Sequence, residues 1–385
     1  MNYFSLARTF ILIPLLAVVV VSINTLFPFI VGKYAIFRTA VDLSLIFFLI
    51  GLLQKNEESV GMFKKIEILF RKPLFIAIGI FTLVFVIACF FGVNPSNSFW
   101  SNFERGEGGV QIIHLFLFFS LISLLFNDEK SWRRVLIFAI LGGMLMSGYG
   151  LFAALGKPGF VGAKFAEPGF RFQGSIGNPA YVAAYAIFLM FYAFCLSLLG
   201  HQKNKTVLSK IIYILIFAVF FAVFILAATR GAFVGFVSAL VIGAAYFAYT
   251  KPKLRPVLIG AIIILTVSVS TLVYFKDSKL VKSLPGSRIF DISFSTETFR
   301  HRAIEWKVAI DAFKERPLLG WGPENFIFAF DKLYNIRHFT TQAGFGAWFD
   351  RAHNIFLDYL SSICIIGLFC YVGVFAAFFW LFLID

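Results

Sequence analysis

Apolar runs long enough to cross a bilayer recur along almost the whole sequence, and they constrain the fold more than any other feature. A hydrocarbon core about 30 Å thick takes about 20 apolar residues per helix. Stretches meeting that need fall at 9–31, 36–54, 73–92, 110–127, 132–155, 178–199, 210–228, 230–249, 256–275 and 354–384. Across the 385 residues only 14% are charged, against about 25% in soluble domains. A soluble protein with one very large core is therefore excluded, and the expected class is an all-α polytopic membrane protein with about ten transmembrane helices. The last run is longer than one crossing requires. The first, which follows Arg8, is too long for a signal-peptide core and lacks a clear cleavage site, so it is read as a retained span.

Orientation follows from where the cations lie. Lys55, Lys64, Lys65, Arg71 and Lys72 form one basic loop. Lys130, Arg133 and Arg134 form a second, Lys203, Lys205 and Lys210 a third, and Lys251, Lys253 and Arg255 a fourth. These loops alternate correctly with the spans, and Arg8 falls on the same side, so that side is assigned to the cytoplasm together with both termini. The net charge of +14 is thereby explained without nucleic acid. The expected organisation is 1–275 as nine spans with short loops, 276–353 as a large, partly helical extracytoplasmic segment, and 354–385 as a final span. Cys89, Cys195, Cys364 and Cys370 all lie in apolar runs, so no disulfide framework is indicated.

Three polar stretches then face outward, at 94–109, 156–177 and 276–353. Within the third, Ser295 or Thr296 can cap a helix, and Phe299, Ala303, Trp306, Ile310 and Phe313 follow as one apolar stripe. Pro317 ends that helix, and Gly320, Gly322 and Pro323 mark a turn. The outer stretches also hold arginines that simple loops do not need. Arg105 stands in SNFERGEGG, Arg171 in FRFQGSIGNPAY, Arg230 in AATRGAFVG, and Arg302 one turn before Trp306. Arg230, between two apolar runs, either snorkels at a tight hairpin or faces a polar cavity. Guanidinium groups pair with phosphate through two parallel hydrogen bonds and stay charged, so clustered arginines at a membrane face suit a phosphate or pyrophosphate ligand.

Gly177 and Asn178 open the span that begins at Pro179, where the free N–H groups of a helix start can meet an anion. His353, in DRAHNIFLDYL, is the candidate base. His114 reads as a packing or helix–helix contact, His301 and His338 as solvated, and His201 as cytoplasmic. No histidine or cysteine grouping has metal-ligand spacing, and neither a P-loop nor a GxSxG motif is present. No metal and no cofactor is expected.

Taken in order, RFQGSIGNPAYVAAY, AATRGAFVGF, RHRAIEWKVAIDAFKERPLLGWGPENF and RAHNIFLDYLSSICIIGLFCY resemble the O-antigen ligase and polymerase superfamily. FWSNFERGEGG looks like that family's first outer loop. The resemblance implies a metal-independent, inverting glycosyltransferase working at the outer face of the cytoplasmic membrane. Its donor would be a glycan on undecaprenyl pyrophosphate, and its acceptor a glycan, a lipid or a protein. Carried over, Arg105, Arg171, Arg230 and Arg302 would hold the pyrophosphate, and His353 would serve the acceptor hydroxyl. Members usually carry another span beyond the point where this chain stops, so truncation is expected. A different class, a permease for a small anion such as bicarbonate, calls for ionisable groups at mid-membrane and interrupted helices. A third, a scaffold without catalysis, needs none of these residues.

Overall fold

The computed structural model describes residues 2–102, 104–198, 207–291, 297–338 and 348–384. Ser295, Thr296, His201, Lys203 and Lys205, named above, lie outside the described residues. Among the described residues there is helix but no strand, and eight helices are long and apolar enough to cross a membrane. Of two shorter apolar helices, Gly109–Leu125 coincides with an expected span, whereas Tyr3–Val19 overlaps only the first part of the 9–31 span. The Pro252–Tyr274 helix has none of its apolar window buried in protein. Such a surface is stable only against hydrocarbon, where every backbone N–H and C=O is already paired within the helix.

Some boundaries differ from the sequence reading, each for a local reason. The first span starts early: Asn2 caps a helix at Tyr3–Leu12, its side chain accepting from Ser5 N at 2.8 Å. Pro14 brings no N–H, and the chain continues as a 3-10 turn only to Val19. The final run divides into Ile355–Ser362 and Cys364–Ile384. Cys364, at φ 61°, breaks it, which accounts for its excess length. The basic 55–72 stretch is not a plain loop but holds a capped helix, Glu57–Phe70.

The chain forms two compact units, each described by itself. One comprises Met1–Pro14, Asn24–Asp128 and Phe294–Asp385, the other Leu15–Ile23 and Glu129–Ser293. In the first, His114 joins two spans: its Nδ1 lies 2.7 Å from Val110 O on its own helix, and its Nε2 lies 3.2 Å from Asp42 of Val31–Leu53. This is the helix–helix contact expected of it. The Gly-Trp-Gly-Pro-Glu-Asn turn is clamped from two sides of the same unit. Val93 N donates to Trp321 O at 2.9 Å, while Trp321 N and Gly322 N donate to Ser361 O and Ser362 O, each at 2.9 Å. Ser98 Oγ donates to Pro323 O at 2.7 Å.

The Glu297–Glu315 helix ends two residues before Pro317, as the sequence indicates. Its buried face differs from the expected stripe. Val308, Ala309 and Ala312 are buried together with Glu305, whereas Ala303 and Ile310 are exposed. A hydrophobic pattern cannot register a buried acid, so the stripe read from apolar positions was rotated away from the true contact face. His338 is likewise not solvated: it is fully buried among Phe330, Tyr334 and Phe349, its ring stacked on His301.

The second unit packs one continuous core. Val182, Ala186, Leu189 and Met190 of the Pro179–Leu198 helix meet Phe220 and Phe224 of Val207–Leu226. Ile289 and Phe290 join the same core. At Gly286, φ 72°, an added Cβ would stand 2.1 Å from Ile225 O, so only glycine permits the approach that seats this segment on the hairpin.

Candidate functional site

Arg105, Arg302 and His353 belong to the first unit, and Arg171 and Arg230 to the second. In the first unit Arg105 and Arg351 are heavily compensated. Arg105 forks onto Asp350, with Nε 2.8 Å and Nη2 2.6 Å from Oδ2, and Nη2 2.9 Å from Oδ1. The neighbouring Arg351 pairs with Glu107 at 2.9 Å, with Asp358 at 3.0 Å, and with Glu324. These acids surround it closely enough that their charge outweighs burial and holds the guanidinium pKa above its usual range. Burial pushes Glu324 up, and Arg351 pulls it back. Asp358 Oδ1 also accepts from Ala352 N at 3.3 Å, which fixes the backbone just before His353.

His353 itself adopts φ 45° and meets Phe349 edge to face at 5.5 Å. A side chain rarely takes that backbone region, and such outliers gather at functional sites. Burial lowers the imidazole pKa, with Arg302 the next cause. The ring is thus kept neutral near pH 7, which is the form that accepts a proton. Asn354 caps the helix that follows, accepting from Phe356 N at 3.1 Å.

Arg302 lies on the exposed side of its helix, and among the described residues it makes no ion pair. Three residues along stands Glu305, fully buried, with neither carboxyl oxygen partnered among the described residues. Desolvation raises its pKa to about 8, against the pull of Arg302 and with reinforcement from Asp358 and Asp350. Glu305 was invisible to the sequence reading because an acid in a charged helix reads as solvated. Asp350 and Arg351 precede His353 in the chain, but their partners Arg105 and Glu107 lie 245 and 244 residues away, so no local signal marks them.

The second unit gathers cations with little compensation. Arg171 reaches across to the hairpin before Arg230: its Nε donates to Ala227 O at 3.2 Å and its Nη2 to Thr229 Oγ1 at 2.8 Å. Ala228 at φ 47° makes that hairpin tight. Arg230 opens the Arg230–Thr250 helix, so it sits at a span end and not at mid-span. Arg230 Nη2 lies 2.5 Å from Asp291 Oδ2, and Lys276 Nζ lies 3.0 Å from Asp291 Oδ1. Burial lowers the Arg171 pKa, and the charges of Arg288 and Arg230 lower it further. Arg288, Lys276 and Asp291 complete this cluster, and no local pattern marks them out within a long polar segment.

The run before Pro179 behaves as its sequence indicates. Gly174 and Gly177 have φ 56° and 78°. Asn178 Oδ1 accepts from Ala180 N at 2.8 Å, and Pro179 opens the helix. Among the described residues no group of three or more His, Cys, Asp or Glu side chains is placed to hold a metal ion.

Repeated apolar helices, with polar clusters at the helix ends and in the connecting segments, define a multi-pass membrane protein. Residues 214–372 match the family model for O-antigen ligase. Over that part of its length the chain is similar to a family of membrane glycan ligases, which supports the resemblance read from its motifs. The match takes in Arg230, Arg302 and His353, while Arg105 and Arg171 precede it. No curated protein and no solved structure matches the chain.

Proposed function

We propose that this protein transfers or polymerises a glycan carried on undecaprenyl pyrophosphate, at the outer face of the cytoplasmic membrane. The observation that carries the reading is the cation cluster of Arg171, Arg230, Arg288 and Lys276, which faces a single carboxylate among the described residues. Such a cluster suits a multiply charged phosphate ester, and preorganised guanidinium groups stabilise the charge that develops on a departing pyrophosphate without a metal.

In the reaction the acceptor O–H gives its proton to the neutral His353 imidazole as the acceptor oxygen bonds to the sugar's anomeric carbon. The bond from that carbon to the carrier's pyrophosphate breaks on the opposite face. Its electron pair leaves with the pyrophosphate, whose developing charge guanidinium groups stabilise. The anomeric configuration inverts. Gly177 and Asn178 contribute a helix start to the cation cluster's own unit, and Arg302 sets the charge around His353. Acceptors of the expected kind are a glycan, a lipid or a protein.

His353→Ala is expected to insert and fold normally in proteoliposomes yet lose roughly 10²–10⁴-fold of transfer from a lipid-linked donor, the usual worth of a general base. Retained activity removes His353 from the mechanism. Because Arg302 depresses the His353 pKa, Arg302→Gln is expected to move the acid limb of the pH–rate profile to higher pH. An unmoved limb assigns that limb to another group. For orientation, a cysteine at the exposed Ser283 should react with an impermeant reagent from outside only, and labelling from the cytoplasm would reverse the topology.

The Asp42–His114 pair supports a second reading, anion transport, since ionisable partners inside spans mark conduction pathways. Asp42→Asn separates the two. Transfer unchanged favours the glycosyltransferase, whereas loss of anion flux with no transfer activity in the parent favours transport.

A further inference from the structure

In the second unit one carboxylate engages two of four neighbouring cations in a way that a phosphate could reproduce. Asp291 presents one oxygen to Arg230 and the other to Lys276. Arg171 and Arg288 stand close enough for their charges to be felt within the same cluster. All three paired side chains keep between a quarter and a half of their surface in solvent, so an incoming anion can reach them.

We infer that Asp291 is a built-in substitute for the donor's phosphate, occupying Arg230 and Lys276 until a pyrophosphate displaces it. This rests on reading the cluster as the donor site. A carboxylate brings one negative charge and two oxygens in a plane. A pyrophosphate brings more charge and more oxygens, so it can engage Arg171 and Arg288 as well. Exposed ion pairs of the Asp291 kind are weak and exchange readily. The backbone just before Asp291 is anchored, because Ile289 and Phe290 are buried, Phe290 against Phe233 at 5.6 Å, and Gly286 seats on Ile225 O. The carboxylate can therefore swing away by side-chain rotation while the segment stays seated. The arrangement discriminates against weakly charged anions, which cannot outcompete the resident carboxylate.

The alternative role for Asp291 is to orient the cations, and the two roles predict opposite signs. Binding of inorganic pyrophosphate to the purified full-length protein in detergent can be measured by calorimetry at low salt. Asp291→Asn and Asp291→Ala are both expected to tighten binding by about 3- to 10-fold, the worth of one or two exposed ion pairs. Weaker or unchanged binding in both variants overturns the inference. Thermal unfolding without pyrophosphate checks that each variant is folded, and the second variant stands in if the first is not. Arg230→Gln distinguishes this inference from the reading beneath it. If Arg230→Gln loses binding while the Asp291 variants do not tighten, only the displacement idea fails. If Arg230→Gln binds like the parent protein, the donor-site reading fails and takes the inference with it.

Discussion

Arg105 and Arg351 of one unit and the arginines around Arg230 in the other sit in opposite electrostatic settings. Around His353, Arg105 is forked by Asp350, and Arg351 is surrounded by Glu107, Glu324 and Asp358. Around Arg230, Asp291 pairs with two of four neighbouring cations, Arg230 and Lys276. An arginine with its own buried acids is a structural fastener: its charge is spent before any ligand arrives. An arginine in excess of acids remains available to an anion. The comparison divides the four arginines picked from sequence into different kinds, and it places Arg105 nearer to the fasteners than its motif suggested.

The first way to break this comparison is at Arg351. Removing one partner of a buried ion network leaves the others uncompensated, so Arg351→Met is expected to cost about 3–5 kcal/mol. Chemical or thermal unfolding in detergent measures it, and a loss under about 1 kcal/mol would place Arg351 with the exchangeable pairs.

Glu305 sharpens the same unit. Its folded pKa is pushed up to about 8, from the 4.5 usual for a glutamate. Below 4.5 it is protonated whether folded or not, and it then has no effect on stability. As pH rises from 4.5 to 8 the unfolded chain ionises and the folded one does not, so folding stability falls through that window and levels off above it. Gln does not titrate. Glu305→Gln is therefore expected to match the parent near pH 4.5 and to exceed it by on the order of 4 kcal/mol at pH 8 and above. A difference that stays flat with pH would mean Glu305 is ionised in the fold.

The smaller effects lie in the second unit. Asn178→Ala removes the cap at the start of Pro179–Leu198 and is expected to cost about 1 kcal/mol. Arg230→Gln is expected to change stability by less than about 1 kcal/mol, because its pair with Asp291 is substantially exposed. A large destabilisation by Arg230→Gln would show that this arginine is also a fastener and would erase the contrast between the units.

Much of this molecule was readable in one dimension, for reasons tied to the solvent. A bilayer demands about 20 apolar residues per helix, and that demand is written in each span separately. Helix punctuation was equally local: Asn178 before Pro179, the end of the long outer helix before Pro317, and the hairpin at Arg230 all depend on neighbours in the chain. Arg171, Arg230 and Arg288 could be listed as cations from sequence, and His353 could be singled out by its motif.

What the sequence alone determined, then, is the membrane-spanning helical class, the positions of the spans between the first and the last to within a few residues, and the motif positions on which the family resemblance rests. Only the tertiary structure decided which charges are compensated. Asp350 and Arg105 are 245 residues apart, and Glu107 and Arg351 are 244 apart, so no local pattern could pair them. Glu305 could be recognised as buried only once the helix's contact face was fixed, since burial of an acid runs against every hydropathy rule. Electrostatic energy depends on distance and dielectric in space, neither of which is encoded in the order of residues, and so the arginine-bearing segments acquired their separate roles only when folded.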